Sequence, residues 1–120
     1  MVMRKRHSIV LSDIESEQLG QVKMLLDSAS YHYENLQLLS QTVGINVTKL
    51  KYGFKQLYGV SIYHYSLQLR IEKAKQLLLK NELSVKAISL DCGFRNCQHF
   101  ITTFKKWTGV TPGKYKSNIT

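Results

Sequence analysis

Ser84–Gly109 reads SVKAISLDCGFRNCQHFITTFKKWTG and Glu34–Gly59 reads ENLQLLSQTVGINVTKLKYGFKQLYG, and the two stretches are one pattern written twice. Gly44 matches Gly93. After a one-residue shift, Leu50, Phe54, Lys55, Gly59, Val60 and Tyr65 match Phe100, Phe104, Lys105, Gly109, Val110 and Tyr115. Each copy predicts a short helix, a glycine turn, a second helix and a closing glycine. Asn46 and Asn96 stand where a side-chain oxygen can accept from the free N–H groups of a first helical turn, and the glycines supply the left-handed residue that ends a helix.

The second helix of each copy, 47–58 and 97–108, divides into two faces. Leu50, Phe54 and Leu57 fall at i, i+4 and i+7, as do Phe100, Phe104 and Trp107, so both sets are expected in a core. Opposite them lie Thr48, Tyr52 and Lys55 in one copy and Gln98, Thr102 and Lys105 in the other; Lys51 flanks the first set and Cys97 the second. Helix, turn and helix in this order describe a helix-turn-helix, whose second helix can enter a DNA major groove.

Outward from the repeat, residues 62–80 predict one long helix striped by Leu67, Ile71, Ala74 and Leu78. Leu36, Leu39 and Val43 face inward on the helix before Gly44. Ser84 caps the short helix bearing Val85 and Ile88, which stops near Cys92-Gly93. Thr111-Pro112 opens a short last helix over 112–117. Near the start, Ser12-Asp13-Ile14-Glu15 reads as a capping box, followed by a helix striped by Leu19, Val22, Leu26 and Ala29, with a linker at Ser28–Tyr33. No strand alternation is visible. The expected fold is all-α: an N-terminal extension with one helix (1–32), then a domain (33–120). That domain holds two helix-turn-helix subdomains, 34–58 and 84–108, joined by a linker helix.

The 120 residues suit one compact domain, and a hydrophobic fraction of 43% allows a true core. Net charge is +9, unevenly spread. Residues 1–45 carry Arg4, Lys5, Arg6 and Lys23 against five acids; residues 46–120 carry thirteen Lys/Arg against Glu72, Glu82 and Asp91. A densely anionic partner should therefore meet the C-terminal two-thirds. Double-stranded DNA is the expected partner, with an anionic membrane or an acidic protein as the alternatives on charge alone. No apolar run approaches the ~20 residues needed to cross a bilayer. The basic start MVMRKRH is followed only by Ile9-Val10-Leu11 before acids intervene, too short for an export signal. Two cysteines do not make a disulfide framework, and a reducing cytoplasm fits best.

By position, Thr48, Lys51 and Tyr52 are expected at bases in one groove, and Cys97, Gln98 and Thr102 in the next. Gln98 can pair with adenine, Lys51 with guanine, and a threonine methyl can meet thymine. Lys49, Lys55, Arg95, Lys105 and Lys106 are expected at phosphates, adding affinity without reading sequence. A 62–80 helix is roughly 28 Å long at ~1.5 Å per residue, against ~34 Å between successive major-groove faces. One chain could then read two unlike half-sites on DNA that bends slightly. Gly53, inside the first of these helices, is read as making room for a packed neighbour rather than for DNA. Arg70 is given a structural role. Cys92, Cys97 and His99 form only a partial metal set, since a structural zinc wants four ligands; Cys92 is expected in the core, and neither a metal nor a cofactor is expected. His7, His32 and His64 are scattered, and no nucleophile motif or phosphate-cradling glycine loop appears, so the chain is not expected to be an enzyme.

With these residues in place, the chain resembles the DNA-binding domain of AraC/XylS-type regulators. The run Ile88-Ser89-Leu90-Asp91-Cys92-Gly93-Phe94, then Phe100, Phe104-Lys105-Lys106, Gly109-Val110-Thr111-Pro112 and Tyr115-Lys116, carries the resemblance, with Tyr65–Arg70, Ala74 and Leu77-Leu78 of the connector. Gly44–Lys55 is similar to the branch regulating siderophore uptake, the pyochelin-regulator type. Ser40 and Ser89 stand where the family usually has alanine, and Lys116 where arginine is frequent. The resemblance implies transcriptional control, RNA polymerase as a further partner, and a sensor or effector domain beside this one. The chain is expected to be the C-terminal part of a longer regulator, or a stand-alone member with a helical extension. Two other readings compete: a non-specific architectural binder, and a protein-interaction module using Leu19, Val22 and Leu26.

Overall fold

The structure, a computed structural model, describes residues 9–28 and 31–119. Among the described residues every regular element is a helix: α1 (Asp13–Asp27), α2 (Leu36–Val43), α3 (Val47–Tyr58), α4 (Ile62–Lys80), α5 (Val85–Asp91), α6 (Cys97–Thr108) and α7 (Pro112–Ile119). The chain divides into two compact units, one ending at Ser66 and one beginning at Leu67, so α4 starts in the first and runs into the second. None of these helices is long and apolar enough to cross a membrane.

In the first unit, α1 opens with the expected capping box. Ser12 Oγ accepts from the Glu15 amide and Glu15 Oε1 accepts from the Ser12 amide, both at 3.0 Å, which satisfies two otherwise free donors. Leu19, Val22 and Leu26 form its buried stripe; Ala29 lies outside the described residues. That stripe is buried with Leu39, Ile45, Leu50, Phe54 and Ile62, and α1 packs on both α2 and α3. The extension read over 1–32 thus contributes α1 to the same compact unit as the first helix-turn-helix. It also means that Leu19, Val22 and Leu26 are spent on this core and offer no surface to a partner protein, which corrects the interaction-module reading of those three residues. α2 begins at Leu36, two residues later than read, because Asn35 caps it by accepting from the Leu38 amide at 2.9 Å.

Gly44 turns the chain between α2 and α3 at φ 85°, a left-handed value that a side chain would oppose. Gln18 of α1 donates to the Gly44 carbonyl at 3.1 Å, so the turn is also tied from outside. The start of α4 is held through Tyr65, whose hydroxyl donates to Asp27; Lys23 pairs with Asp27 at 3.4 Å and lies over the Tyr58 and Tyr65 rings. Tyr65 raises the Lys23 pKa, with Asp27 adding to the effect, while burial raises that of Tyr65.

The second unit buries Leu67, Ile71, Ala74 and Leu78 of α4 with Ile88, Cys92, Phe94, Phe100 and Phe104. Its rings pack in tilted and edge-on pairs: Phe94 with Phe100, Phe100 with Phe104, and Phe104 with Tyr115 of α7, at 5.1, 5.7 and 5.3 Å between centroids. The Arg70 guanidinium lies 5.5 Å above the Phe94 ring, a structural placement. Burial pushes the Cys92 thiol up to about 11, as befits a small core residue. Thr111 caps α7 as read, accepting from the Lys114 amide at 3.2 Å, and that helix extends to Ile119.

Candidate nucleic-acid interface

α3 and α6 are built alike. Asn46 accepts from the Lys49 amide at 2.8 Å and Asn96 from the His99 amide at 2.7 Å; each helix then runs twelve residues to a glycine, Gly59 or Gly109. Position n of α3 therefore corresponds to position n+50 of α6. The one-residue shift lies in the turns: Gly44-Ile45-Asn46 in the first, Gly93-Phe94-Arg95-Asn96 in the second. Phe94 is buried like Ile45, and the additional residue, Arg95, is exposed just before α6.

The inner faces agree with the spacing at Leu50, Phe54, Phe100 and Phe104, all fully buried. Trp107 is partly buried against the second core. Leu57 departs from the expectation of a core residue, with 44% of its surface exposed. Helical phase gives the direction of a side chain but not how far its neighbours extend, and Leu57 sits in the last turn of α3.

The outer faces hold the expected contact residues. On α3, Thr48, Lys51 and Lys55 are exposed and Tyr52 half-buried; the Lys51 ammonium lies 5.2 Å from the Tyr52 ring centre. On α6, Gln98, Thr102, Lys105 and Lys106 are exposed, Cys97 is half-buried, and Gln98 Nε2 donates to Thr102 Oγ1 at 3.4 Å. Within each unit, then, these side chains lie together on one helix. The two faces differ chemically: a cation and a phenol on one, an amide and a hydroxyl on the other. Lys55, Lys105 and Lys106 occupy last turns, where cations also complement the helix dipole. Among the described residues no three His, Cys, Asp or Glu side chains converge as metal ligands.

Lys49 is placed differently from the other cations. Its ammonium pairs with Glu15 Oε2 at 2.6 Å, and that hydrogen bond is the main cause holding the Glu15 carboxyl below its ordinary pKa. Two further ties follow along α3. The Gln56 side chain accepts from the Ile9 amide at 2.8 Å and donates to the Ile9 carbonyl at 3.0 Å. Between them, a Cβ on Gly53 would stand 2.8 Å from Leu19 Cδ1 and 3.2 Å from Leu11 Cδ2. Gly53 is therefore a packing glycine, as read. Residues 9–15 run along the 49, 53, 56 side of α3, next to its polar face. Sequence reasoning missed Gln56 and the occupation of Lys49; the mid-helix glycine was the one available signal.

Comparison with known proteins agrees with this architecture. The helix-turn-helix domain family model matches residues 39–118. A transcriptional activator, RhaR of Yersinia pseudotuberculosis, is 31% identical over 116 residues, covering 97% of this chain; the chain spans only 39% of that relative's length. Among solved structures, the C-terminal domain of the response regulator yesN from Fusobacterium nucleatum is 31% identical with a TM-score of 0.70, over 88% of this chain and 99% of that one. A transcriptional regulator with an AraC-type DNA-binding domain from Chromobacterium violaceum is 27% identical with a TM-score of 0.74, over 86% of this chain and 92% of that one. With the family model matching well over half its length, the chain belongs to the AraC/XylS-type family of helix-turn-helix domains.

Proposed function

We propose that this chain is the sequence-specific DNA-binding part of a transcription regulator, with α3 and α6 as its two recognition helices. The observation that carries the reading is the equal presentation of two capped helices, each with its aromatic or aliphatic side buried and its polar side exposed in the same register. Thr48, Lys51 and Tyr52 face one groove and Cys97, Gln98 and Thr102 the next, while Lys55, Arg95, Lys105 and Lys106 hold phosphates. Lys49 exchanges Glu15 for a phosphate if it takes part. The nineteen residues of α4 suit half-sites about one helical turn apart. Because the chain spans well under half of its RhaR relative, a sensor domain and RNA polymerase are proposed as partners of the whole protein, acting in the cytoplasm.

Selecting bound duplexes from a random pool tests this. Two separated blocks of base preference are expected. On the selected duplex, Gln98→Ala should relax choice at one base pair by ~1–3 kcal/mol. Lys105→Ala should weaken every duplex alike and reduce the salt slope by about one. Equal affinity for random and selected duplexes at physiological salt would instead make the chain a non-specific binder.

A further inference from the structure

Resting on that DNA-binding reading, we infer that Glu15 is an internal counter-charge that withholds Lys49 from the DNA backbone, so that α3 meets its groove with one phosphate contact fewer than its cations allow. Among the described residues, Lys49 is the one cation of α3 or α6 that pairs with a carboxylate; the other ion pairs belong to Lys23, Lys73 and Lys75. Lys55, Lys105 and Lys106 are exposed, and Lys51 lies over a ring rather than beside an acid. At the position of α6 that matches Lys49 stands His99, exposed and edge-on to Phe94. The second recognition helix thus has no counterpart of this pair among the described residues.

The carboxylate is fixed where it stands. Its Oε1 accepts from the Ser12 amide at 3.0 Å, which leaves Oε2 for the Lys49 ammonium, 2.6 Å away. Further along α3, Gln56 holds both backbone groups of Ile9, and Leu11 lies against Gly53. The stretch that carries Glu15 is therefore held to α3 at three points, of which the ion pair is one. Lys49 is adjacent to Thr48 and three residues from Tyr52, at the edge of the face proposed to enter the groove. A lysine there can reach the phosphates that flank the groove. Turning to one would cost the ion pair and leave Glu15 bare beside a chain of like charge, two penalties of the same sign. Lys49 therefore stays with Glu15, and a cation already neutralised by an acid displaces no counterion from DNA. What is lost is backbone affinity, which is blind to sequence.

The test is fluorescence anisotropy on a selected and a random duplex over a range of salt, below the melting temperature of every variant. It compares the unaltered chain with Glu15→Gln, with the double variant E15Q/K49A and with Glu17→Gln. Glutamine at 15 keeps an acceptor for the Ser12 amide and removes only the charge. Glu15→Gln should bind both duplexes about threefold or more tightly at low salt, with a log–log salt slope steeper by about one, although its fold is less stable. A merely structural ion pair would lower affinity along with stability. The gain should vanish in the double variant, whose slope should match that of the unaltered chain. Glu17 is exposed and makes no ion pair among the described residues, so Glu17→Gln removes the same charge from α1 without freeing a cation and should leave the slope unchanged. A Glu15→Gln affinity that is unchanged or reduced overturns the inference while leaving the domain's own DNA binding intact. So does a gain that persists in the double variant, or one that Glu17→Gln reproduces in full. A gain confined to the selected duplex overturns it too, because phosphate contacts do not read sequence. An unaltered chain that binds no duplex even at low salt removes the DNA reading and this inference together.

Discussion

Ser40 and Ser89 are equivalent in the two copies, both buried, and their backbone carbonyls accept from the matching amides of Ile45 and Phe94 at 3.3 and 3.0 Å. Their hydroxyls fare differently. Ser40 Oγ donates to the Ile45 carbonyl at 2.6 Å, whereas Ser89 Oγ is buried without a partner among the described residues. A buried hydroxyl that has lost water and gained nothing costs about 1–3 kcal/mol, while a made hydrogen bond contributes about 1 kcal/mol. Ser40→Ala should therefore destabilise the first unit by about 1 kcal/mol, and Ser89→Ala should leave the second unit unchanged or stabilise it by about 1 kcal/mol. Urea unfolding of the two variants checks this, and losses of equal size would show that Ser89 finds a partner in solution. The sequence could flag both serines as departures from alanine, but it could not tell the satisfied one from the orphan, because that depends on where one hydroxyl points.

At the scale of elements, the local signals were legible and the distant ones were not. Capping residues act over three positions, so Ser12, Asn46, Ser84, Asn96 and Thr111 marked helix starts that the structure reproduces. The contacts of residues 9–15 with α3 join residues far apart in sequence, Ile9 to Gln56 and Glu15 to Lys49, and the mid-helix Gly53 is the one local sign of them. Lys49 consequently looked like its exposed neighbours although it is tied to α1. Its partner carries a pH signature. The Glu15 carboxyl sits below its ordinary value of 4.5, so its contribution is complete above that pH and is lost as the pH falls below it through the lowered native value. Glu15→Gln keeps an acceptor for the capping box but removes the charge. It should lower the melting temperature at neutral pH and low salt, and the difference from the unaltered chain should fade as the solution is acidified below pH 4.5 or as salt is added. A difference that persists in acid would mean the ion pair contributes nothing.

For the whole molecule, the repeat was the readable fact, because a doubled pattern constrains the fold more than either copy alone. The all-helical reading and the α4 bounds of Ile62–Lys80 rested on helical periodicity along each segment, and the structure has both. The division of the chain had no such signal. It falls within α4, between Ser66 and Leu67, at a point that no helix end marks. If both recognition helices engage one duplex, inserting about five base pairs between the two preferred blocks turns the second to the opposite side of the DNA. Affinity should then fall to that of a single block, measured by competition against duplexes with one block scrambled. Undiminished binding to the spaced duplex would mean that the two units do not act on one site.

The unlike faces of α3 and α6, one carrying Lys51 with Tyr52 and the other Gln98 with Thr102, have a consequence for how such a chain sits on a genome. A two-fold symmetric reader cannot tell left from right. A reader with different ends can, so reversing its target end for end presents a different ligand, and on the DNA-binding reading each bound molecule would point along the duplex like an arrow.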